Sequence, residues 1–310
     1  MDKRKSRILS AIMFQVRSRP SFESIGVVRY RQLLEQSARI FTINPAIKKD
    51  PIHICGMDAE WITPPEHDEK RIILYVHGGG FIAGSINSHR DLASRIATAA
   101  KARLLMFNYR LAPEHPFPAG LDDTRQIYQW ITERFDNSHH ICLAGDSAGA
   151  GLALSLVSDL MTRALPLPKC VVLLSPWTDL ECKNLSHHTN LRKDFMLNQK
   201  ALKATARLYT DKDLANPLIS PINNNFKGFP PVLIQVGENE VLLDDSTLLA
   251  KKIEQDNGIV KLEVWDEMFH VWHYFSKYLS QARDAVNRAG EFIQFWSPVI
   301  RSSRARSNQN

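Results

Sequence analysis

The chain has 310 residues with ordinary proportions of apolar and charged side chains, so it is long enough for one large α/β domain with an inserted or appended cap. Its net charge of +6 does not indicate nucleic-acid binding, because much of the excess lies near the two ends of the chain. No apolar run approaches the ~20 residues that cross a bilayer, so stable membrane insertion is not expected.

The four cysteines show neither a C-x-x-C pair nor the spacing of a metal site, which predicts free thiols and no bound metal. The amino terminus has a charged start but no sustained apolar stretch of the kind found in signal peptides. Together these features predict a cytoplasmic protein.

Residues 1–45 are predicted to form cap helices. Apolar residues recur at helical spacing in two pieces that are separated near Pro20, and Lys and Arg lie on the other side of the first piece. A basic amphipathic segment of this kind either lies on an anionic membrane surface or packs on the rest of the protein. Packing is the favoured interpretation, because most amphipathic helices of soluble chains serve that purpose.

A β-hairpin at the edge of a sheet and then a buried strand are predicted next. Residues 52–63 alternate between apolar and polar side chains and include Gly56. The continuous apolar run at 71–76 indicates a buried strand, and it leads into His-Gly-Gly-Gly at 77–80. Glycines after a strand either permit unusual backbone angles or let backbone N–H groups approach a substrate. The second interpretation makes this segment an oxyanion hole.

The most informative motif is Gly-Asp-Ser-Ala-Gly at 145–149. It follows an apolar strand at 141–144 and precedes a helix-like run at 150–163. This arrangement is typical of a nucleophile elbow, a sharp strand-to-helix turn that exposes one serine hydroxyl, here that of Ser147. Strands and helices alternate on both sides of the motif, which predicts a parallel sheet with right-handed crossovers.

Residues 176–231 interrupt this alternation. A segment of such length between two strands is most simply an insertion that forms part of a cap. Its adjacent His187 and His188 lack the partners and spacing of a metal site and are interpreted as solvated loop residues. The predicted organisation is therefore cap helices at 1–45, a first core part at 46–180, a cap insertion at 181–228, a second core part at 229–297 and a disordered tail at 298–310.

Carboxylates and a histidine follow the later strands. Glu240 and Asp244 come after the apolar strand at 232–237, and His270 comes after the last strand at 261–265. The order serine, carboxylate, histidine is that of an α/β-hydrolase triad. A serine hydroxyl needs a base within hydrogen-bond reach, and imidazole titrates near neutrality. A carboxylate then holds the imidazole in the required tautomer.

With these motifs the chain resembles bacterial carboxylesterases of the hormone-sensitive-lipase-like family of α/β-hydrolases. The resemblance covers roughly residues 72–296, and it is carried by the segments at 77–80, 109–114 and 145–149 and by the loop around His270. It implies an α/β-hydrolase fold with a mostly parallel central sheet flanked by helices. It also implies a serine carboxylesterase for small to medium acyl esters, without a cofactor. Lactone hydrolysis with the same triad and a noncatalytic ligand receptor are the alternatives, and relatives make a homodimer plausible.

The resemblance also implies the roles of single residues. Ser147 corresponds to the nucleophile and His270 to the base, and the oxyanion hole corresponds to the N–H groups of Gly79, Gly80 and Ala148.

The predicted acid of the triad departs from the family pattern, in which an aspartate is the first residue of the segment that follows the strand. Glu240 stands at that position, with Asp244 as the alternative acid. Active-site residues of such sheets lie at the carboxyl ends of strands, which favours Glu240, whereas Asp244 is well explained as a helix cap. By the same resemblance, His77 and Glu114 brace loops rather than take part in the chemistry.

Overall fold

An eight-stranded sheet runs through the part of the chain that the computed structural model describes, residues 20, 22–135 and 139–298. Its strands in chain order are β1 (Lys48–Ile54), β2 (Met57–Thr63), β3 (Asp68–Val76), β4 (Ala102–Phe107), β5 (His140–Asp146), β6 (Val171–Leu174), β7 (Val232–Gly237) and β8 (Val260–Trp265). They lie side by side in the order β1-β2-β4-β3-β5-β6-β7-β8. The pairs β1–β2 and β2–β4 are antiparallel and the others are parallel. The predicted mostly parallel sheet and the predicted edge hairpin are both confirmed.

Helices connect the strands and cover both faces of the sheet. They are α1 (Phe22–Ile25), α2 (Val27–Ala38), α3 (Ile86–Ala100), α4 (Ala119–Arg134), α5 (Ser147–Thr162), α6 (Ser186–Thr189), α7 (Gln199–Tyr209), α8 (Leu243–Gln255) and α9 (Ser280–Trp296). Successive side chains of a strand point to opposite faces, so Ile73 and Tyr75 pack with α3 and α9 on one face. Ile72 and Leu74 pack with α4, α5 and α8 on the other.

Helix α2 packs on the loop that follows β3. The Arg31 guanidinium donates a hydrogen bond to the Ile82 carbonyl at 2.6 Å and pairs with the Glu114 carboxylate at 2.7 Å. One turn later, Glu35 accepts a hydrogen bond from the Ser85 hydroxyl at 2.5 Å. These contacts attach α2 to the body of the protein. The first predicted piece lies outside the described residues, as does the predicted tail beyond residue 298.

No helix among the described residues has both the length and the apolar character needed to span a membrane. Between β6 and β7, residues 181–228 form α6, α7 and a short 3-10 turn at Pro221–Asn223. The domain boundaries at 45, 180, 228 and 297 stay predictions.

One expectation for the insertion is wrong, because His187 is completely buried. The hydroxyl of Ser186 donates a hydrogen bond to the Val241 carbonyl and docks α6 against the start of α8. The next side chain, His187, is thereby turned inward, and its Nε2 lies 3.4 Å from Asp245 Oδ2. His188 is exposed, as predicted.

Candidate active site

The turn between β5 and α5 presents Ser147 in a strained conformation. Its φ of +52° is uncommon for a residue with a side chain and is expected at a nucleophile elbow. Packing requires both flanking glycines. A Cβ on Gly149 would lie 2.2 Å from the Val76 carbonyl oxygen, and one on Gly145 would lie 2.8 Å from the Gly149 carbonyl group.

The loop after β8 brings His270 next to Ser147. His270 Nε2 lies 2.9 Å from Ser147 Oγ, and His270 Nδ1 lies 2.8 Å from Glu240 Oε2. Glu240 is fully buried, and His270 is 6% exposed. The serine, the histidine and the first-choice acid of the sequence analysis therefore form one continuous hydrogen-bonded chain.

The alternative acid, Asp244, faces a different part of the molecule. Its carboxylate accepts a hydrogen bond from the Ser186 N–H at 2.8 Å, and its own N–H donates to the Ser186 hydroxyl at 3.0 Å. Asp244 lies in the first turn of α8 and holds α6. Among the described residues, no side chain of α8 itself caps the start of this helix, so the expectation that Asp244 caps it is wrong.

The surroundings of His270 raise its pKa above the ordinary value. Burial alone lowers the pKa of an imidazole, but the hydrogen bond to Glu240 and the negative charge of Glu240 outweigh burial. The charges of Asp194 and Asp146 act in the same direction. A raised pKa favours the imidazolium, which is the form that a general base reaches after taking a proton.

The glycine loop after β3 has the backbone geometry that the sequence predicted. Gly79 and Gly80 have φ of +115° and +63°, and a Cβ on Gly79 would lie 2.2 Å from the Ala83 carbonyl oxygen. Neither glycine N–H donates a hydrogen bond to another described residue. Ala148 lies in the first turn of α5, where N–H groups have no partner within the helix. All three predicted donors therefore lack a hydrogen-bond partner among the described residues.

The carboxylate that anchors this loop was not predicted from the sequence. Asp146 Oδ1 accepts hydrogen bonds from the Gly78 N–H at 3.0 Å and from the Tyr75 hydroxyl at 2.7 Å, and Oδ2 lies 3.4 Å from His89 Nε2. Burial acts to raise the pKa of Asp146, but the charge of His89 and these hydrogen bonds hold it below the ordinary value. An ionisable residue directly between a buried strand and Ser147 was the signal available in the sequence.

Three residues that support Glu240 were also not predicted from the sequence. Two come from the insertion: Asn190 Nδ2 donates to the Glu240 carbonyl at 2.8 Å, and Asp194 Oδ2 accepts from the Val241 N–H at 2.9 Å. The third is Ser175 after β6, whose hydroxyl donates to Glu240 Oε1 at 2.7 Å. No pattern in the sequence marked these positions.

His77 and Glu114 both contact neighbouring loops. His77 Nδ1 donates to the Gly78 carbonyl at 2.8 Å, and its ring stacks on Tyr109 with 4.2 Å between centroids. Burial lowers the pKa of His77 to about 3, so this imidazole is neutral at ordinary pH. The hydrogen bond from Arg31 lowers the pKa of Glu114 and ties its loop to α2.

All four cysteines are free thiols. In the part of the chain that the structure describes, no group of three or more His, Cys, Asp and Glu side chains could hold a metal ion.

Comparisons with known proteins identify the family of this chain. The alpha/beta hydrolase fold family matches residues 73–274. An acetyl-hydrolase from Streptomyces hygroscopicus is 40% identical over 79% of this chain and 82% of its own length. An esterase from Acinetobacter venetianus is 32% identical over 88% of this chain and 90% of its own. The crystal structure of an esterase from the bacterial hormone-sensitive lipase family superposes with a TM-score of 0.89 at 36% identity, covering 93% of this chain and 98% of that one. The chain therefore belongs to the α/β-hydrolase family, among the esterases of the bacterial hormone-sensitive-lipase type.

Proposed function

We propose that this carboxylic ester hydrolase acts on small to medium acyl esters through an acyl-enzyme on Ser147. The observation that carries the proposal is the pair of hydrogen bonds made by His270, 2.9 Å to the Ser147 hydroxyl and 2.8 Å to the Glu240 carboxylate. They supply the serine with a base and the base with an orienting carboxylate, which is what nucleophilic catalysis by serine requires.

In the first half-reaction, His270 Nε2 takes the proton of Ser147 as Oγ bonds to the ester carbonyl carbon. The imidazolium then gives that proton to the alcohol oxygen as the bond between this oxygen and the acyl carbon breaks. In the second half-reaction, His270 takes a proton from water while the water oxygen attacks the acyl carbon. The proton returns to Ser147 Oγ as the carboxylic acid leaves. Glu240 keeps Nδ1 protonated throughout, so Nε2 remains the acceptor.

The N–H groups of Gly79, Gly80 and Ala148 serve in this proposal as donors to the oxyanion of both tetrahedral intermediates. Each such donor lowers the barrier by about 3 kcal/mol when it is held in place before the reaction. The amino-terminal end of α5 adds a partial positive charge on the same side as Ser147.

Turnover of p-nitrophenyl acetate, butyrate and decanoate by the wild type and by Ser147→Ala tests the proposal. Loss of the nucleophile should lower kcat by roughly 10⁴-fold or more. The matched control is Ser158→Ala on the same helix, which removes a buried hydroxyl that donates to the Leu154 carbonyl at 3.2 Å and should keep wild-type turnover. Unchanged turnover by Ser147→Ala would reject the nucleophile assignment.

A substrate panel on the same purified protein decides between the alternative substrate classes. A panel of γ- and δ-lactones beside the open-chain esters gives kcat/KM for each class. Higher kcat/KM values for lactones would identify lactones, rather than open-chain esters, as the substrate class. Ligand binding without turnover by the wild type would instead identify a receptor.

We also infer a homodimer that works in the cytoplasm. The four free thiols support a reducing compartment. The homodimer is inferred from the family resemblance alone. Light scattering on the purified protein and fractionation of the source cells test these two points.

A further inference from the structure

One buried hydroxyl joins the three loops that meet beneath the candidate triad. Ser175 directly follows β6, is fully buried, and donates a hydrogen bond from Oγ to Glu240 Oε1 at 2.7 Å. The same Oγ accepts a hydrogen bond from the Val271 N–H at 3.1 Å. Val271 is the residue after His270, so Ser175 contacts both the acid and the backbone beside the base.

The backbone is unusual at both ends of this link. Ser175 has φ of +47° and Val271 has φ of +45°, which is a genuine outlier for a β-branched residue. Such conformations persist only where the surrounding structure enforces them, and they cluster at active sites. The Ser175 N–H is itself fixed by a hydrogen bond of 2.7 Å to the Gln235 carbonyl.

The other donor to Glu240 Oε1 cannot replace Ser175. It is the Gly237 N–H, at 2.6 Å, at the end of the strand that leads directly into the loop of the acid. That hydrogen bond orders the loop internally but does not connect it to His270. Gly237 is also pressed against the loop of the base, since a Cβ on it would lie 2.4 Å from the Met268 carbonyl oxygen. The Ser175 hydroxyl, by contrast, bonds to the acid and to the backbone beside the base at once.

We propose that Ser175 is a positioning residue for the esterase reaction, whose hydroxyl fixes the Glu240 carboxylate and the loop of His270 relative to each other. This proposal rests on the proposed function. Ser175 acts through Glu240 and Val271 and not on the substrate, so its loss should affect the chemical step and leave substrate binding unchanged.

The test compares Ser175→Ala with the wild type on p-nitrophenyl acetate. Misalignment of the acid and base should lower kcat about 30-fold and change KM by less than about twofold. The matched control is Ser246→Ala in α8, which removes another fully buried hydroxyl, one without a hydrogen-bond partner among the described residues. Ser246→Ala should keep the wild-type kcat.

The pH dependence of kcat/KM provides a readout that a purely structural role would not move. Among the described residues, the titratable groups that act on His270 are Glu240 after β7, Asp194 from the insertion and Asp146 at the end of β5, together with His273, which burial keeps neutral with a pKa of about 3. In Ser175→Ala the carboxylate of Glu240 is no longer held in line with Nδ1, so it raises the pKa of His270 less. The acid limb should therefore shift by about half a pH unit to lower pH, and Ser246→Ala should leave it in place.

A Ser175→Ala kcat within about twofold of the wild type would overturn the proposal, and so would a large loss of kcat with an unmoved acid limb. If the alanine variant does not fold, Ser175→Cys decides, because its thiol is a weaker donor at the same position. Reduced kcat with a lowered acid limb supports the proposal, and full kcat or an unmoved limb overturns it.

Ser147→Ala is assayed alongside. Its unchanged turnover would reject the proposed function, whereas an inactive Ser147→Ala with a normal Ser175→Ala rejects the role of Ser175 alone.

Discussion

Replacing Glu240 by glutamine keeps the shape of the side chain and should remove most of the activity. In the wild type, Oε1 faces two donors, the Ser175 hydroxyl at 2.7 Å and the Gly237 N–H at 2.6 Å. The amide oxygen of glutamine must therefore take the position of Oε1, which leaves the amide NH₂ facing His270 Nδ1. An NH₂ group donates and cannot accept, so the imidazole proton moves to Nε2. The proton then lies between Nε2 and Ser147, and the base can no longer take the serine proton.

The expected loss is large, because both the tautomer and the charge that stabilises the imidazolium are affected. An amide in place of the orienting carboxylate lowers kcat by about 10⁴-fold, which corresponds to ~5.5 kcal/mol of barrier. Initial rates on p-nitrophenyl acetate over a range of concentrations give kcat and KM, and circular dichroism melting reports whether the fold is retained.

The matched control is Asp244→Asn, the same chemical change at the alternative acid. Because the Asp244 carboxylate faces the Ser186 N–H, we expect kcat within about threefold of the wild type. A larger loss in Asp244→Asn than in Glu240→Gln would reverse the assignment of the acid. A folded Glu240→Gln variant that retains more than about one tenth of kcat would refute the tautomer argument.

Three further expectations follow from single distances and charges. Catalysis needs the neutral imidazole of His270, whose pKa is raised, so kcat/KM should fall as the pH decreases through a midpoint above the ordinary pKa of a histidine. A pH–rate profile whose midpoint lies below that ordinary value contradicts this. Gly149→Ala places a Cβ 2.2 Å from the Val76 carbonyl oxygen and should lower Tm by about 5 °C or more. A melting curve that matches the wild type would show that the turn has more room for a side chain than the structure gives it. Arg31→Ala removes the hydrogen bond of 2.6 Å to the Ile82 carbonyl and should lower the free energy of unfolding, measured with urea, by about 1–2 kcal/mol. An unchanged midpoint of the urea unfolding curve would mean that α2 is held by its apolar contacts.

The elbow and the glycine loop could be predicted because their constraints are local. Each requires small residues within a few positions of a strand end, because the backbone there lies close to neighbouring residues of the same loop or to the adjacent strand. The contact between Gly149 and the Val76 carbonyl is of this kind. The sheet was predictable for a related reason, since continuous apolar runs separated by helices have few alternative arrangements.

The surroundings of the acid could not be predicted, because they depend on residues that are distant along the chain. Ser175 lies 65 positions before Glu240, and Asp194 lies 47 positions before Val241. No periodicity connects such pairs. The choice between Glu240 and Asp244 depended in the same way on where α8 begins, since its first turn directs Asp244 toward α6.

The hydrogen bonds from Asn190 and Asp194 limit how this enzyme can be re-engineered. The insertion is the obvious segment to exchange with that of a relative when a new substrate range is wanted. The same segment, however, supplies the amide that binds the Glu240 carbonyl and the carboxylate that binds the Val241 N–H. A chimera that grafts a foreign insertion without these two side chains would loosen the acid, and its turnover would fall on every substrate, old and new. Changes made to the insertion for the sake of selectivity should therefore leave positions 190 and 194 intact.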